Sequence, residues 1–320
     1  MTDPNLVNLW GIAASPTSPL WIADNGTGTS VLCNGNTGLP VALVVSIPGD
    51  GSVTGTVFSG SAGNNGDLFL FASEDGTVSG WRGALGTAAE TLVLADTANV
   101  YKGMAFGTIG TNSYSYLANF RSGAIDVPKA NPASPDLAGS FTDPNLPSGY
   151  APFDIQNLGG VLYVSYAVQD AAKRDDVPGA GNGIVDRFDL SGNLLGRVAT
   201  GGLLNSPWGL AIAPVGFGDL GGKLLVGNFG DGTINAFDAT TGAFFETLQG
   251  ANGGTLSIDG LWGLRFGNGS SGGSTGTLFF TAGPGGEANG LFGEIDATPE
   301  PATWLLAGLG LLPLLRRRRP

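Results

Sequence analysis

Pro207-Trp208-Gly209-Leu210-Ala211, then Leu224 to Gly227, the turn Asp231-Gly232 and the run Thr233 to Asp238 make up the stretch that decides the architecture of this chain. An aromatic-Gly opening leads into an alternating apolar run. A Gly then stands where a tight hairpin demands positive φ, and a second alternating run follows. The same order recurs about six times at intervals of roughly 45 to 55 residues, the period of a radial or linear array. Openings of this kind lie at Trp10-Gly11-Ile12-Ala13, Tyr101-Lys102-Gly103-Met104-Ala105, Pro152-Phe153-Asp154-Ile155 and Leu261-Trp262-Gly263-Leu264, with a degenerate copy near Gly55 to Ser59. Second strands are predicted at Leu20 to Ala23, Leu68 to Ala72, Ser115 to Ala118, Leu162 to Tyr166, Leu224 to Gly227 and Leu278 to Thr281. Third strands follow at Thr29 to Cys33, Thr77 to Trp81, Ala124 to Val127, Ile184 to Asp189, Thr233 to Asp238 and Leu291 to Asp296. Fourth strands fit Val41 to Ile47, Thr91 to Leu94, Leu194 to Ala199 and Phe244 to Leu248. Three to four antiparallel strands per module, repeated six times, predict an all-β, six-bladed β-propeller over residues 1–297. A β-sandwich would lack the long period, and the rungs of a β-helix are shorter.

Composition narrows the chemistry. The 56 glycines and 19 prolines are spread between short apolar runs, as turns between strands require. The formal net charge is −12, and without Arg316 to Arg319 and Glu300 the remainder holds 10 basic against 25 acidic residues. Such a body repels nucleic acid. Cys33 is the single cysteine, which excludes an intramolecular disulfide and reads as a small strand residue. There is no histidine, so Ser-His-Asp and Cys-His catalysis and His-ligated metals are excluded. Any chemistry rests on carboxylates, amides, hydroxyls or a bound ion.

From Ala302 to Leu315 the chain is apolar apart from Thr303, and Arg316, Arg317, Arg318 and Arg319 stop it. As a helix this stretch would span about 21 Å, short of a roughly 30 Å hydrocarbon core. Trp304 at one interface and snorkelling arginines at the other would let a thinned bilayer accept it, with the arginines on the cytoplasmic side. Pro299-Glu300-Pro301 stands immediately before it, so residues 298–320 read as a sorting tail containing a short hydrophobic helix.

The modules resemble the NHL-type propeller repeat, and more closely a family of uncharacterised bacterial exported proteins that carry a PEP-CTERM tail. The resemblance rests on Thr2-Asp3-Pro4-Asn5-Leu6-Val7-Asn8-Leu9-Trp10-Gly11-Ile12, on Leu20-Trp21-Ile22-Ala23-Asp24-Asn25-Gly26-Thr27-Gly28, and on the insertion Val168 to Gly183. It implies that an exosortase-type membrane enzyme recognises Pro299, Glu300 and Pro301 and removes the tail after a transient stay in the inner membrane. The mature protein would then be periplasmic, on the cell surface or extracellular. It also implies a signal peptide and a first strand further upstream, so the N-terminus is expected to be incomplete.

Polar candidates collect at strand ends. Asp24, Glu74, Asn119 and Asn228 follow second strands, and Asp154 lies in an opening strand, so all five are candidates for one mouth of the channel. The set is similar to the Glu, Asn and Asp ligands with which lactonase-like propellers hold a divalent cation, and oxygen ligands suit Ca2+. The alternative is that Asn and Asp before Gly cap their own turns. In the insertion, Asp170, Asp175, Asp176 and Asn182 are a candidate calcium loop, with a salt-bridged solvated loop as the alternative. Trp10, Trp208 and Trp262 recur in register and are expected to pack between blades. Two functions follow as expectations. One is an exported, non-enzymatic binding or matrix-associated module working beside extracellular polysaccharide. The other is a cation-dependent, lactonase-like hydrolase or lyase.

Overall fold

The six sequence modules close into six blades. The computed structural model describes residues 3–60 and 64–297. Blade 1 comprises β1 (Leu9–Ala13), β2 (Leu20–Asp24), β3 (Thr29–Asn34) and β4 (Leu39–Ser46). Blade 2 comprises β5 (Val53–Phe58), β6 (Phe69–Ser73), β7 (Val78–Trp81) and β8 (Glu90–Val93). Blade 3 has three strands, β9 (Tyr101–Ile109), β10 (Asn112–Asn119) and β11 (Ala124–Asp126). Blade 4 has β12 (Tyr150–Leu158), β13 (Val161–Val168), β14 (Ile184–Asp189) and β15 (Leu194–Thr200). Blade 5 has β16 (Pro207–Ile212), β17 (Lys223–Asn228), β18 (Ile234–Asp238) and β19 (Phe244–Thr247). Blade 6 has β20 (Leu261–Phe266), β21 (Thr277–Ala282) and β22 (Leu291–Asp296). The degenerate second opening is an inner strand like the others, with Thr54 where four blades have an aromatic and blade 3 has Lys102.

Inner strands pack in the order β1, β5, β9, β12, β16, β20 and back to β1, so they surround one axis. Each carries a β-bulge at its opening. In β16, for example, Pro207 pairs with Asn228 and Gly209 with Gly227, leaving Trp208 extra. Equivalent shifts fall at Trp10-Gly11, Thr54-Gly55, Lys102, Phe153 and Trp262-Gly263. A bulge turns one side chain out of the alternation of its strand. Here it turns Trp10, Trp208, Trp262 and Phe153 onto the axis.

The residue after each bulge meets the next blade, and that contact selects glycine. A Cβ on Gly263 would lie 2.6 Å from the Trp10 carbonyl oxygen, and one on Gly11 would lie 2.8 Å from that of Thr54. Blade 4 alone has another residue there, Asp154. The ring closes between blades 6 and 1 through a polar seam. Asn8 N donates to Asn289 O at 3.0 Å, Trp262 Nε1 to Asn8 Oδ1 at 3.1 Å, and Asn268 Nδ2 to the carbonyls of Ser15 and Ser18 at 2.8 Å each.

The predicted C-terminal helix, with Pro299, Glu300, Pro301 and Arg316 to Arg319, lies outside the described residues. Among those described, no helix is long and apolar enough to cross a membrane.

Because the seam joins the two ends of the ring, Gly263→Ala is expected to lower stability by about 1–3 kcal/mol through overpacking against backbone. Gly216→Ala, where an added Cβ meets nothing within 4 Å, should change little. Urea midpoints of the two variants decide this, and equal midpoints would show that the seam yields.

Candidate functional site

The two ends of the channel are built differently. At the end where inner strands begin, the bulged aromatics fill the axis. Trp10 stacks on Trp262 with ring centroids 3.5 Å apart and meets Trp208 edge-on at 6.0 Å. Phe229 stacks on the other side of Trp262 at 4.0 Å, and Phe153 lies 5.8 Å away. Trp10 and Trp208 belong to non-adjacent blades, so their contact crosses the axis. The expected packing between blades is present where Trp10 of blade 1 stacks on Trp262 of blade 6, and the bulges carry it further, to the axis. All three are buried, which leaves no exposed face for stacking a sugar.

Lys102 is the one cation turned inward by a bulge. Its buried ammonium lies 5.2 Å from the Trp10 ring centroid and pairs with Glu74, while Asp175 approaches at 3.2 Å. Arg174 reaches the second Glu74 oxygen at 3.4 Å. The insertion is thus tied across this end by charge. Gln169 Nε2 adds a hydrogen bond to Phe120 O.

The sequence-derived candidates take separate duties. Asp24 is buried and accepts from Val31 N at 2.9 Å and from Thr29 Oγ1 at 3.4 Å. Asn119 accepts from Val100 N and donates to Asn99 and Asp126. Asn228 accepts from Asn205 N and donates to Leu203 O. Asp24 closes its own hairpin, and Asn119 and Asn228 tie theirs to the preceding loop. Of the five mouth candidates, Glu74 is the one that faces the cation at the axis. Asp154 is fully buried, its Oδ2 accepting from Gln156 Nε2 at 3.1 Å and its Oδ1 set against Gly103 without a hydrogen-bond partner. In the insertion, Asp170 accepts from the backbone of Arg174 and Asp175, and these amides hold its carboxyl below the usual range. Asp175 serves Lys102, burial raises the Asp176 pKa, and Asn182 donates to Val177 O. Among the described residues, no three acidic or thiol side chains form a group able to hold a metal ion. Cys33 is buried and its thiol is pushed up to about 12, chiefly by that burial.

The opposite end, where inner strands finish, is open. One lobe of about 360 Å³ is lined by residues including Thr56, Phe58 and Phe106, and a second of about 430 Å³ by Leu210, Ile212 and Phe266 among others. Ile12, Gln156, Asn157 and Arg265 line both lobes. Among the described residues, no acidic residue lines either. Sequence reasoning passed over this end because Arg265 and Gln156 sit inside strands with no motif around them. The one available signal was a charged residue at an inner-strand position where the other modules place Ala, Val or Gln.

Two proteins of Acanthamoeba polyphaga mimivirus resemble the chain over most of its length. Uncharacterized protein R648 is 33% identical over 82% of this chain and 69% of its own, and uncharacterized protein L690 is 32% identical over 82% and 74%. The chain belongs to their family. Residues 297–319 match the PEP-CTERM protein-sorting motif, which implies export, processing by an exosortase and a surface or extracellular location. Among solved structures, a glucose dehydrogenase (TM-score 0.54, 14% identity, covering 92% of this chain and 98% of that one) and a streptogramin B lyase (0.52, 12%, 92% and 96%) are similar. Those likenesses extend to the propeller fold alone.

For this member of the family, buried carboxyls set the pH response. Burial pushes Asp154 up to about 8, and burial with the Asp143 charge pushes Asp186 up to about 7; burial also raises Asp24 well above its ordinary 3.8. Between about pH 4 and 8 the folded chain therefore holds more protons than the unfolded chain, and stability falls as pH rises. The melting temperature should be higher at pH 5 than at pH 8 by about 5 °C, turning down below pH 4 where the lowered Asp170 and Asp238 protonate. A melting temperature that climbs from pH 5 to 8 would refute the assignment.

Proposed function

We propose that the protein is an exported, surface-sorted binding propeller that recognises its ligand in the open end of the channel. The observation that carries this reading is the contrast between the two ends. The aromatic plug and the Lys102, Glu74, Arg174 and Asp175 group close one of them. The other keeps a cavity of ligand size, walled by apolar side chains, amides and one guanidinium. Such a lining supplies contact area and directional hydrogen bonds, the ingredients of recognition. In this reading an exosortase cuts at Pro299-Glu300-Pro301 after the hydrophobic stretch has been held in the inner membrane, with Arg316 to Arg319 on the cytoplasmic side. The released body then works beside extracellular polysaccharide, where its acidity limits non-specific adhesion to other anions.

A lactonase-like hydrolase or lyase would need several oxygen ligands converging at one mouth. Asp24, Asn119 and Asn228 are engaged in turn and loop hydrogen bonds, and Glu74 is matched to two cations, so the geometry favours binding. Calcium at millimolar concentration is expected to leave the melting temperature unchanged. A rise of several degrees would restore both the calcium loop and the cation-dependent enzyme.

Ile212→Trp, which fills one lobe from its wall, should lower co-sedimentation with polysaccharide from producing cells at least about tenfold while leaving the melting temperature near that of the parent. Unchanged sedimentation would remove the cavity from the function.

A further inference from the structure

The open cavity contains polar groups that the fold leaves unmatched. Arg265 projects where the two lobes meet. Its Nη2 donates to Ala14 O at 3.2 Å, and its Nε is buried without a partner. Burial lowers the guanidinium pKa with no neighbouring charge acting on it, yet arginine remains charged in proteins. Thr56, 4% exposed, lines the same cavity, and its hydroxyl also has no partner. The other polar liners are committed. Asn157 donates to Phe106 O, Asn268 donates to Ser15 O and Ser18 O, and the Gln156 amide nitrogen donates to Asp154.

A half-buried guanidinium with one carbonyl partner is unfavourable, because desolvation is offset only when its remaining donors are matched. Asp67 and Glu90 serve Arg82, and Asp143 and Asp186 serve Arg197, whereas Arg121 and Arg187, like Arg265, have one carbonyl partner and an unpartnered Nε; of these three, Arg265 lines both lobes of the cavity and is the one whose pKa burial lowers. Among the described residues no carboxylate lines this wall, which leaves room for an acceptor carried by a ligand. The planar fork of arginine suits the two coplanar oxygens of a carboxylate. Phe58 and Phe106 on one side, and Ile212 and Phe266 on the other, suit an apolar body. We propose that the cavity binds a small monocarboxylate with an apolar body, its carboxylate held by Arg265 and the Thr56 hydroxyl. This rests on the reading of the open cavity as the recognition site and names the group that enters it; sedimentation with polysaccharide through this cavity requires such a carboxylate on the polymer.

Calorimetric titration of the full chain with sodium benzoate and with benzamide, at one ionic strength, tests it. Benzoate should bind and benzamide, the neutral isostere, at least about tenfold more weakly. Arg265→Gln should cost benzoate about 10- to 100-fold, Arg265→Lys less, and Thr56→Val a few-fold, with benzamide unaffected by any of them. Should Arg265→Gln melt early, the benzoate-to-benzamide ratio and Thr56→Val still decide. Equal binding of the two probes, benzoate binding that survives Arg265→Gln, or no benzoate binding at millimolar concentration would overturn the proposal. If benzoate fails while Ile212→Trp still abolishes polysaccharide sedimentation, the carboxylate assignment falls alone. If both fail, the cavity is not the recognition site.

Discussion

Trp10 lies flat on Trp262 across the join between the first blade and the last, and the closed ring depends on that contact. A blade has two apolar faces, and each must be covered by a neighbour. Five of the six interfaces join blades that are consecutive in sequence. The sixth must bring together residues some 250 positions apart. Here an aromatic stack, worth about 0.5–1.5 kcal/mol beyond its buried area, is joined by hydrogen bonds worth about 1 kcal/mol each. Gly35 N to Ser271 O, Asn36 to Ser270 O, Asn8 to Asn289 O and the Asn268 pair all belong to this seam. Their sum is comparable to the roughly 5–15 kcal/mol by which a whole domain is stable, so closure governs the fold.

The same stack fixes what the channel can do. Once three tryptophans and Phe153 meet on the axis there is no through-passage at that end, and the cation beside them is surrounded by acids and by a ring face. Lys102 is tolerated because Glu74, Asp175 and the Trp10 π-face replace its water. Just inside the plug, Asp154 takes the place that glycine fills in the other blades. Burial pushes its pKa up to about 8, against the opposing pull of the Gln156 amide and the Ile155 backbone N–H.

Much of the fold was legible in the sequence because turns and alternation are local. Ile184 to Asp189 and Leu291 to Asp296 were read with the bounds the strands have, and the four predicted outer strands are present. The degenerate opening at Gly55 was legible only as a gap in the period, since Thr54 carries no aromatic signal. The strand-end residues were ambiguous for a physical reason. Asp24, Asn119 and Asn228 offer the same oxygens whether they cap a hairpin or bind a cation. The partners that decide, Val31 N for the first and loop groups near Asn99 and Leu203 for the others, are brought in by the fold. Bulges were likewise invisible, because a one-residue shift in pairing leaves composition unchanged, and so the packing of tryptophans between blades was legible but their convergence on the axis was not. Arg265 was missed because its meaning comes from the absence of acids around it.

The last strand, β22, runs toward the face on which the cavity opens, and Ala297 at its end packs near Gly218 and Leu220 in the loop between β16 and β17. The sorting segment therefore departs from the rim of the open end. The last described residue and the mouth of the cavity thus share one face of the propeller, with the aromatic plug on the other.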